Sequence, residues 1–239
     1  MKILLTNDDG IQSGGLQKLA EVLRSRPEHR VYVIAPENNR SGISHAVSVL
    51  SAPVKLTKLS EDTWTCSGYP ADCVIVAILG ELPWKPDLVI SGINEGENLG
   101  TDIIYSGTAA AARQASLAGI PAIALSLASY DNLCFDMAAL WAADHLEELV
   151  ALWEEDTFLN VNIPNCPGGP DGMVAASPAH KKYSDVLKVM TAPDESRWCF
   201  LTLGEDDVPK EAGSDCDAVS RNLVSVSSVY NYPMLKKKD

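Results

Sequence analysis

The sequence predicts an α/β protein built on a mostly parallel sheet. Short apolar runs that end at turn-forming residues alternate with segments of helical periodicity. The first run, Ile3 to Leu5, stops at the cluster Asn7 to Gly10, and apolar residues recur at helical spacing from Gly14 to Arg26. A second run, Arg30 to Pro36, starts about thirty residues after the first, as a strand–helix–strand unit requires.

The remaining elements alternate in the same way. Pro70 and Asp72 lie in the first turn of a predicted helix, where proline and an acidic side chain are both favoured, so Asp72 is predicted to be structural rather than catalytic. The predicted elements are, in chain order, short antiparallel strands within 46–65, a helix over 68–79, a strand over 88–91, an alanine-rich helix over 109–118, a strand over 122–126, a long helix over 136–153, and strands over 158–163 and 223–229.

Size and composition limit the classes of function. A chain of 239 residues with 46% hydrophobic residues predicts a single domain over 1–239. The net charge of −13 argues against duplex nucleic acid and anionic membranes as partners. The sequence contains no apolar run of about 18 residues and no apolar leader, so we expect a cytoplasmic protein. Six scattered cysteines without a Cys-x-x-Cys pair argue against a disulfide framework and against a zinc site.

Three predicted strands end in oxygen-rich side chains: Asp8 and Asp9, Ser41, and Asn94. In an open parallel sheet these ends lie at one edge, where ligands bind. The two aspartates have no lysine or arginine between Thr6 and Gln17, so they need a neutralising partner. Carboxylate, hydroxyl and amide oxygens suit Mg²⁺, Mn²⁺ or Ca²⁺. On its own, Asp-Asp-Gly is also an ordinary solvated turn.

The start of the alanine-rich helix predicts an anion site. Ser106, Gly107 and Thr108 offer free N–H groups, two hydroxyls and the positive end of the helix dipole. Simple N-capping by Ser106 or Thr108 is the alternative, and both roles are compatible. With the cation site, these residues predict a metal-assisted phosphate site.

Four motifs in order carry a resemblance to a known family. The motifs are Asn-Asp-Asp-Gly at 7–10, Ala-Pro-x-x-x-Arg-Ser-Gly at 35–42, Ser-Gly-Ile-Asn-x-Gly-x-Asn-Leu-Gly at 91–100 and Tyr-Ser-Gly-Thr-x-Ala-Ala at 105–111. They resemble the SurE family, the survival-protein-E nucleotidases, and later segments at 160–164 and 214–227 look like further motifs of that family.

The resemblance implies a Rossmann-like, three-layer fold and a metal-dependent 5′-nucleotidase. Such an enzyme hydrolyses nucleoside 5′-monophosphates, and also 3′-monophosphates and short polyphosphate. One divalent cation per subunit is implied, Mg²⁺ or Mn²⁺, with Ca²⁺ as another occupant. Carried over by position, the metal ligands are Asp8, Asp9, Ser41 and Asn94, the catalytic residues are Asp8 and Asp9, and the substrate contacts are Asn98, Ser106, Gly107 and Thr108.

The same resemblance implies a homodimer or tetramer. A projecting β-arm at about 177–203 and a C-terminal segment at about 214–239 would make the subunit contacts. Asn222 stands where the family usually has glycine, and 225–229 also departs from the usual pattern. These departures leave the predicted metal site untouched but weaken the expectation for the oligomer.

Two alternatives come from other functional classes. A response-regulator receiver domain also has an acidic pair after its first strand, but it needs an aspartate and a lysine at later strand ends. Those ends read Ser91-Gly-Ile-Asn94 and Ala124-Leu-Ser126. A nucleotide-binding module without catalysis would use the same polar groups. If the chain is an enzyme, Asp8 is the residue expected to orient or deprotonate the attacking water, with direct carboxylate attack as the alternative. His45 is a candidate for the leaving-group acid, although a loop histidine is more often merely exposed or hydrogen-bonded.

Overall fold

The computed structural model describes residues 1–49, 52–202 and 211–234. In this part of the chain nine strands form one sheet in the order β3-β4-β2-β1-β5-β6-β7-β11-β8. The sheet is mostly parallel, with antiparallel pairs only at β3/β4 and β7/β11 among these strands. Helices cover both faces, which confirms the α/β, three-layer prediction. The strands are β1 (Lys2–Thr6), β2 (Arg30–Pro36), β3 (Leu56–Ser60), β4 (Thr63–Cys66), β5 (Leu88–Glu95), β6 (Ala122–Ala128), β7 (Thr157–Pro164), β8 (Met173–Ala175), β9 (Val186–Thr191), β10 (Arg197–Thr202) and β11 (Val224–Tyr230).

Two apolar layers hold the helices against the sheet. One face of the sheet packs on α1, α4 and α5, through side chains such as Leu5, Leu16 and Leu125. The other face packs on α2 and α3, where small residues such as Ala109 and Ala112 bring helix α3 close to the strands. The helices are α1 (Gly14–Arg24), α2 (Pro70–Val76), α3 (Gly107–Leu117), α4 (Phe135–Asp144), α5 (Leu146–Leu152) and α6 (Asp215–Ser220), with a π-helical turn at Ala77–Glu81 and a 3-10 turn at Gly100–Ile104. None of the helices in the described residues has the length and hydropathy to span a bilayer.

Several boundaries differ from the sequence predictions. The long helix predicted over 136–153 is two helices, because His145 leaves helical geometry at φ −104° and ψ 10°. Strand β5 continues to Glu95, four residues beyond the predicted end at 91. Because of this extension, Asn94 is part of strand β5 and lies near its carboxyl end.

Asp72 has the structural role predicted for it. Its carboxylate is 4% exposed and accepts hydrogen bonds from the Tyr69 N–H (2.8 Å) at the start of α2 and from the N–H and hydroxyl of Ser48 (2.9 and 2.7 Å). The close approach needs Gly68, since a Cβ there would lie 2.5 Å from an Asp72 oxygen. Asp72 therefore caps a helix and fastens a loop.

Strands β9 and β10 pair only with each other among the described strands, as an antiparallel hairpin in which every strand residue is exposed. Apolar side chains such as Met190, Trp198 and Leu201 lie on this hairpin, 63–81% exposed in the case of these three. The hairpin falls within the predicted arm at 177–203, of which residue 203 lies outside the described residues. Residues 235–239 of the predicted C-terminal segment also lie outside them.

Candidate functional site

The loop after β1 is built to hold two carboxylates at the sheet edge. Asn7 is fully buried, and its side-chain amide donates to the Gly10 carbonyl (3.0 Å) and to the Ser13 hydroxyl (2.6 Å) while its oxygen accepts from the Gly10 N–H (3.2 Å). Gly10 has φ +98°, a conformation that favours glycine. The Asn-Asp-Asp-Gly motif is thus a closed turn, with Asn7 and Gly10 shaping it around Asp8 and Asp9.

Asp8 is 3% exposed and is held by the start of α3. The Thr108 hydroxyl donates to its Oδ1, and the backbone N–H groups of Gly107 and Thr108 act to lower the pKa of the carboxyl group, against the effect of burial. The contact with Gly107 is so close that a Cβ there would lie 2.8 Å from the Asp8 Cβ and 2.9 Å from its Oδ2. The helix start therefore fixes the position of Asp8.

Asn94 contacts the same Thr108 hydroxyl as Asp8 does. Its amide nitrogen donates to the carbonyl oxygens of Gly96 (2.8 Å) and Glu95 (3.3 Å), which turns its Oδ1 the other way. That Oδ1 is 3.3 Å from the Thr108 hydroxyl oxygen, which also donates to Asp8. Oxygens from strand ends β1 and β5 thus converge on a single hydroxyl group.

Asp9 and Ser41 form the outer part of the cluster. Asp9 Oδ2 accepts from the Glu95 N–H at 3.1 Å, and the nearby Ser41 side chain acts to lower the pKa of Asp9, against the effect of burial. The loop carrying Ser41 is tied to the turn by the Arg40 N–H, which donates to the Asp8 carbonyl at 2.6 Å. Asp8 and Asn94 share the Thr108 hydroxyl, and Asp9 follows Asp8 in the chain with Ser41 close to it. The structure thus brings the four predicted metal ligands into one neighbourhood.

The electrostatics of this cluster favour a cation. Burial raises the pKa of Asp8, and burial together with the charge of Asp8 raises the pKa of Asp9 to about 6. Both shifts mean that two negative charges here are costly without a positive partner. Among the described residues no three His, Cys, Asp or Glu side chains cluster as a metal site, so a cation would rely on two carboxylates plus the amide and hydroxyl oxygens. That all-oxygen set fits Mg²⁺, Mn²⁺ or Ca²⁺.

The cluster opens into a cleft of about 790 Å³, within the range of small-molecule sites. Its wall is mainly acidic and aromatic, and Lys181 is the one lysine or arginine among the described residues that line it. The lining residues are Asp8, Ser41, Gly42, Asn94, Glu95, Glu97, Asn98, Asp102, Tyr105, Ser106, Tyr130, Lys181, Tyr183 and Asp185.

The four predicted substrate contacts divide into two pairs. Ser106 and Asn98 line the cleft, and the Ser106 hydroxyl also caps α3 by accepting from the Ala109 N–H at 3.0 Å. Thr108 is fully buried, and both Gly107 and Thr108 lie against Asp8 rather than on the cleft wall. In this structure that pair positions the carboxylate.

Asn98 is anchored by side chains that the sequence analysis did not single out. Its N–H donates to Asn162 Oδ1 (2.8 Å), its amide nitrogen donates to Ser126 Oγ (2.8 Å), and its carbonyl accepts from Asn160 (2.8 Å) and Asn162 (3.2 Å). Asn160, Asn162 and Ser126 are fully buried strand residues. The signal was present in the sequence, because two asparagines at alternate positions of a buried strand need polar partners.

A second group that the sequence analysis missed lies on the cleft wall. Lys181, 6% exposed, forms an ion pair of 2.6 Å with Asp102, and the Tyr183 hydroxyl donates to the other Asp102 oxygen at 2.6 Å. About eighty residues separate the partners along the chain. No local sequence pattern connects them.

His45 does not line the cleft. Its Nε2 is 3.0 Å from the Gln114 amide oxygen, and burial lowers its pKa. This position gives no support to His45 as the leaving-group acid. The strand ends after β5 and β6 carry Asn94 and Ser126, so the aspartate and lysine of a receiver domain are absent from these two ends.

Comparison with known proteins gives a consistent result. The sequence profile of the family described as Survival protein SurE matches residues 3–185. A protein of Pelobacter propionicus named 5′-nucleotidase SurE is 39% identical, with 99% of this chain and 97% of that protein covered. One of the same name from Thermosipho africanus is 38% identical, with 96% and 91% covered. The crystal structure of the SurE protein from Aquifex aeolicus superposes with a TM-score of 0.86 at 36% identity, covering 98% of this chain and 95% of that one.

Proposed function

The chain belongs to the SurE family, and from this premise we propose that it is a divalent-metal-dependent 5′-nucleotidase that converts nucleoside 5′-monophosphates to nucleoside and phosphate. The supporting observation is the convergence of Asp8 and Asn94 oxygens on the buried Thr108 hydroxyl, with both Asp8 and Asn94 lining a cleft of about 790 Å³. Relatives with near-complete coverage carry the name of this activity.

We propose Asp8, Asp9, Ser41 and Asn94 as the ligands of one Mg²⁺ or Mn²⁺ ion per subunit, a site that Ca²⁺ would also fit. A divalent cation there would offset the carboxylate charges, polarise the phosphoryl group and favour ionisation of water. Without it, the acidic wall of the cleft would repel a phosphomonoester dianion.

In the proposed mechanism, the protein groups position charge and a proton acceptor. Asp8, held by Thr108 at the start of α3, orients the attacking water and accepts its proton as the water oxygen bonds to phosphorus. The bond from phosphorus to the nucleoside 5′ oxygen breaks in the same displacement, and that oxygen takes its proton from solvent water. The phosphoryl group lies beside Ser106, whose hydroxyl and helix-start location stabilise the growing negative charge. Asn98 supplies a polar contact on the cleft wall, kept in place by the strand asparagines. Direct attack by the Asp8 carboxylate is the alternative that a trapped phosphoenzyme would reveal.

Metal removal tests the proposed activity. We expect the protein with AMP and Mn²⁺ to release inorganic phosphate, and we expect excess chelator to reduce release to background until Mn²⁺ is restored. Phosphate is measured colorimetrically, with buffer and Mn²⁺ alone as the control. Release that continues undiminished in chelator would contradict the metal dependence. AMP binding without any release over a panel of divalent ions would instead favour a binding module.

The finer substrate range is also a proposal. We infer that 3′-monophosphates and short polyphosphate are hydrolysed at the same site, because a cation held by the proposed ligands would act on the phosphoryl group, which all these substrates share. We also infer a cytoplasmic location. The six cysteines, all unpaired in the structure, suit a reducing compartment.

We propose that the β9–β10 hairpin joins subunits in a homodimer or tetramer, as the arm of a single domain over 1–239, together with the C-terminal segment. Exposed apolar residues on both of its strands support this, since such a surface is unfavourable in water. We expect Trp198→Glu to shift the chain toward monomer because a carboxylate is costly in an apolar interface. Light scattering after size-exclusion chromatography measures the mass, with exposed Lys85→Glu as the control. A monomeric wild-type protein would contradict the proposal.

A further inference from the structure

Two tyrosine side chains on the cleft wall are unusually exposed for residues of their size. Tyr105 is 56% exposed and Tyr130 is 67% exposed, and both line the same cleft as Asp8 and Asn94. Aromatic rings usually contribute to the stability of a core or an interface by burying their faces. Two open rings on the wall of one cleft offer flat surfaces that a planar ligand would cover.

The Tyr130 ring is held by the loop that follows Asn94. Gly96 has φ +99°, and a Cβ built there would lie 2.3 Å from two carbon atoms of the Tyr130 ring. The ring therefore rests against bare backbone, and this position requires glycine at 96. Burial and the charges of Glu97 and Asp102 raise the pKa of Tyr130, consistent with a hydroxyl inside the acidic cleft.

The Tyr105 ring packs against the ring of Tyr183, a residue far from it in the sequence. The Tyr183 ring meets it edge-on, with centroids 6.1 Å apart and an interplanar angle of 76°. Tyr183 is in turn fixed by its 2.6 Å hydrogen bond to Asp102, the carboxylate that pairs with Lys181. Tyr105 directly precedes Ser106, the N-cap residue of α3, so the position of its ring is fixed relative to the start of that helix.

We propose that Tyr105 and Tyr130 form a nucleobase subsite, in which the base of the nucleotide stacks on the rings while its phosphate lies at the Asp8–Asn94 end. The proposal rests on the proposed function, because it assumes a phosphate position there. The bases of nucleotides are uncharged at neutral pH, so the acidic wall does not repel them as it repels phosphate. Stacking accepts every base, because each has a π face. The subsite thus selects nucleotides over phosphomonoesters without a base, with little preference among bases.

The test compares AMP with ribose 5-phosphate, which lacks only the base. We expect Tyr130→Leu to lower the ratio of kcat/KM for AMP to kcat/KM for ribose 5-phosphate about tenfold, in line with typical losses of base–aromatic stacking. Tyr130→Phe, which keeps the ring, should retain the wild-type ratio. Leu59→Ala is the control, since Leu59 is 52% exposed and is not part of the cleft wall.

Three results would overturn the subsite. An unchanged ratio in Tyr130→Leu would show that the ring does not contact the base. Equal losses with both substrates would show that the ring only supports the Gly96 loop. A ratio that falls equally in Tyr130→Phe would assign the effect to the hydroxyl.

A second measurement separates this inference from the proposed function. If the wild-type protein hydrolyses neither substrate, the proposed activity fails, and calorimetric binding of adenosine decides the subsite alone. Weaker adenosine binding by Tyr130→Leu than by Tyr130→Phe would support the subsite, and equal binding by the two variants would overturn it.

Discussion

Asp8→Asn is expected to lower kcat/KM for AMP in the presence of Mn²⁺ by at least about a hundredfold. The substitution preserves shape, and the amide oxygen still accepts from Thr108, so the main change is the loss of one negative charge and one proton acceptor. Metal-centred charge stabilisation supplies several kcal/mol to phosphoryl transfer, and about 1.4 kcal/mol corresponds to a factor of ten in rate.

Stability distinguishes this functional effect from damage to the fold. Burial raises the pKa of Asp8, so its ionised form costs folding free energy near neutral pH when no cation is present. The neutral variant should therefore unfold at the same temperature as the metal-free wild type or higher, as followed by circular dichroism. Asp171→Asn, at an exposed aspartate that does not line the cleft, is the control for activity. Near-normal turnover of AMP by Asp8→Asn would refute the site.

Gly107→Ala is expected to cost about a hundredfold in kcat/KM for AMP, although it adds a single methyl group. The added Cβ would lie 2.8 Å from the Asp8 Cβ, so Asp8 or the start of α3 must move. Misplacing a catalytic group by about 1 Å can cost this much activity. Gly107 is the first residue of α3, and alanine is at least as compatible with a helix as glycine is, so the expected loss comes from the contact with Asp8 and not from helix propensity.

Gly168→Ala is the matched control, because a Cβ at Gly168 meets no atom within 4 Å. Steady-state kinetics with AMP and thermal unfolding are measured for both variants. We expect Gly168→Ala to match the wild type in both. Full activity in Gly107→Ala would show that the close contact between α3 and Asp8 has no role in catalysis.

The parts of the site near strand ends were predictable, because local rules place them. Asp8 and Asn94 follow apolar runs, and parallel strands bring such ends to one edge of a sheet. The role of Thr108 was harder to predict. A hydroxyl at a helix start predicts either a helix cap or a phosphate contact. In the structure, the Thr108 hydroxyl instead donates a hydrogen bond to Asp8. Which acceptor it faces depends on how closely α3 packs on the sheet, and this follows from the alanines on its buried face.

The acidic and aromatic wall of the cleft was not predictable from local patterns. The ion pair between Asp102 and Lys181 joins residues that are about eighty positions apart in the sequence. The Tyr130 ring contacts Gly96 because β6, which precedes Tyr130, pairs with β5, which precedes Gly96. Such contacts depend on where whole elements pack, and the residues involved look like ordinary loop positions in isolation.

The sequence by itself determined the layer architecture, the family and the strand ends that carry the candidate metal ligands, since each depends on periodicity or on residues adjacent in the chain. Only the tertiary structure decided that Thr108 and Gly107 hold Asp8, that buried asparagines hold Asn98, and that two exposed tyrosines share the cleft. The physical reason is that hydrogen bonds and ring contacts act over a few ångströms in space, and folding alone sets which distant residues come within that range.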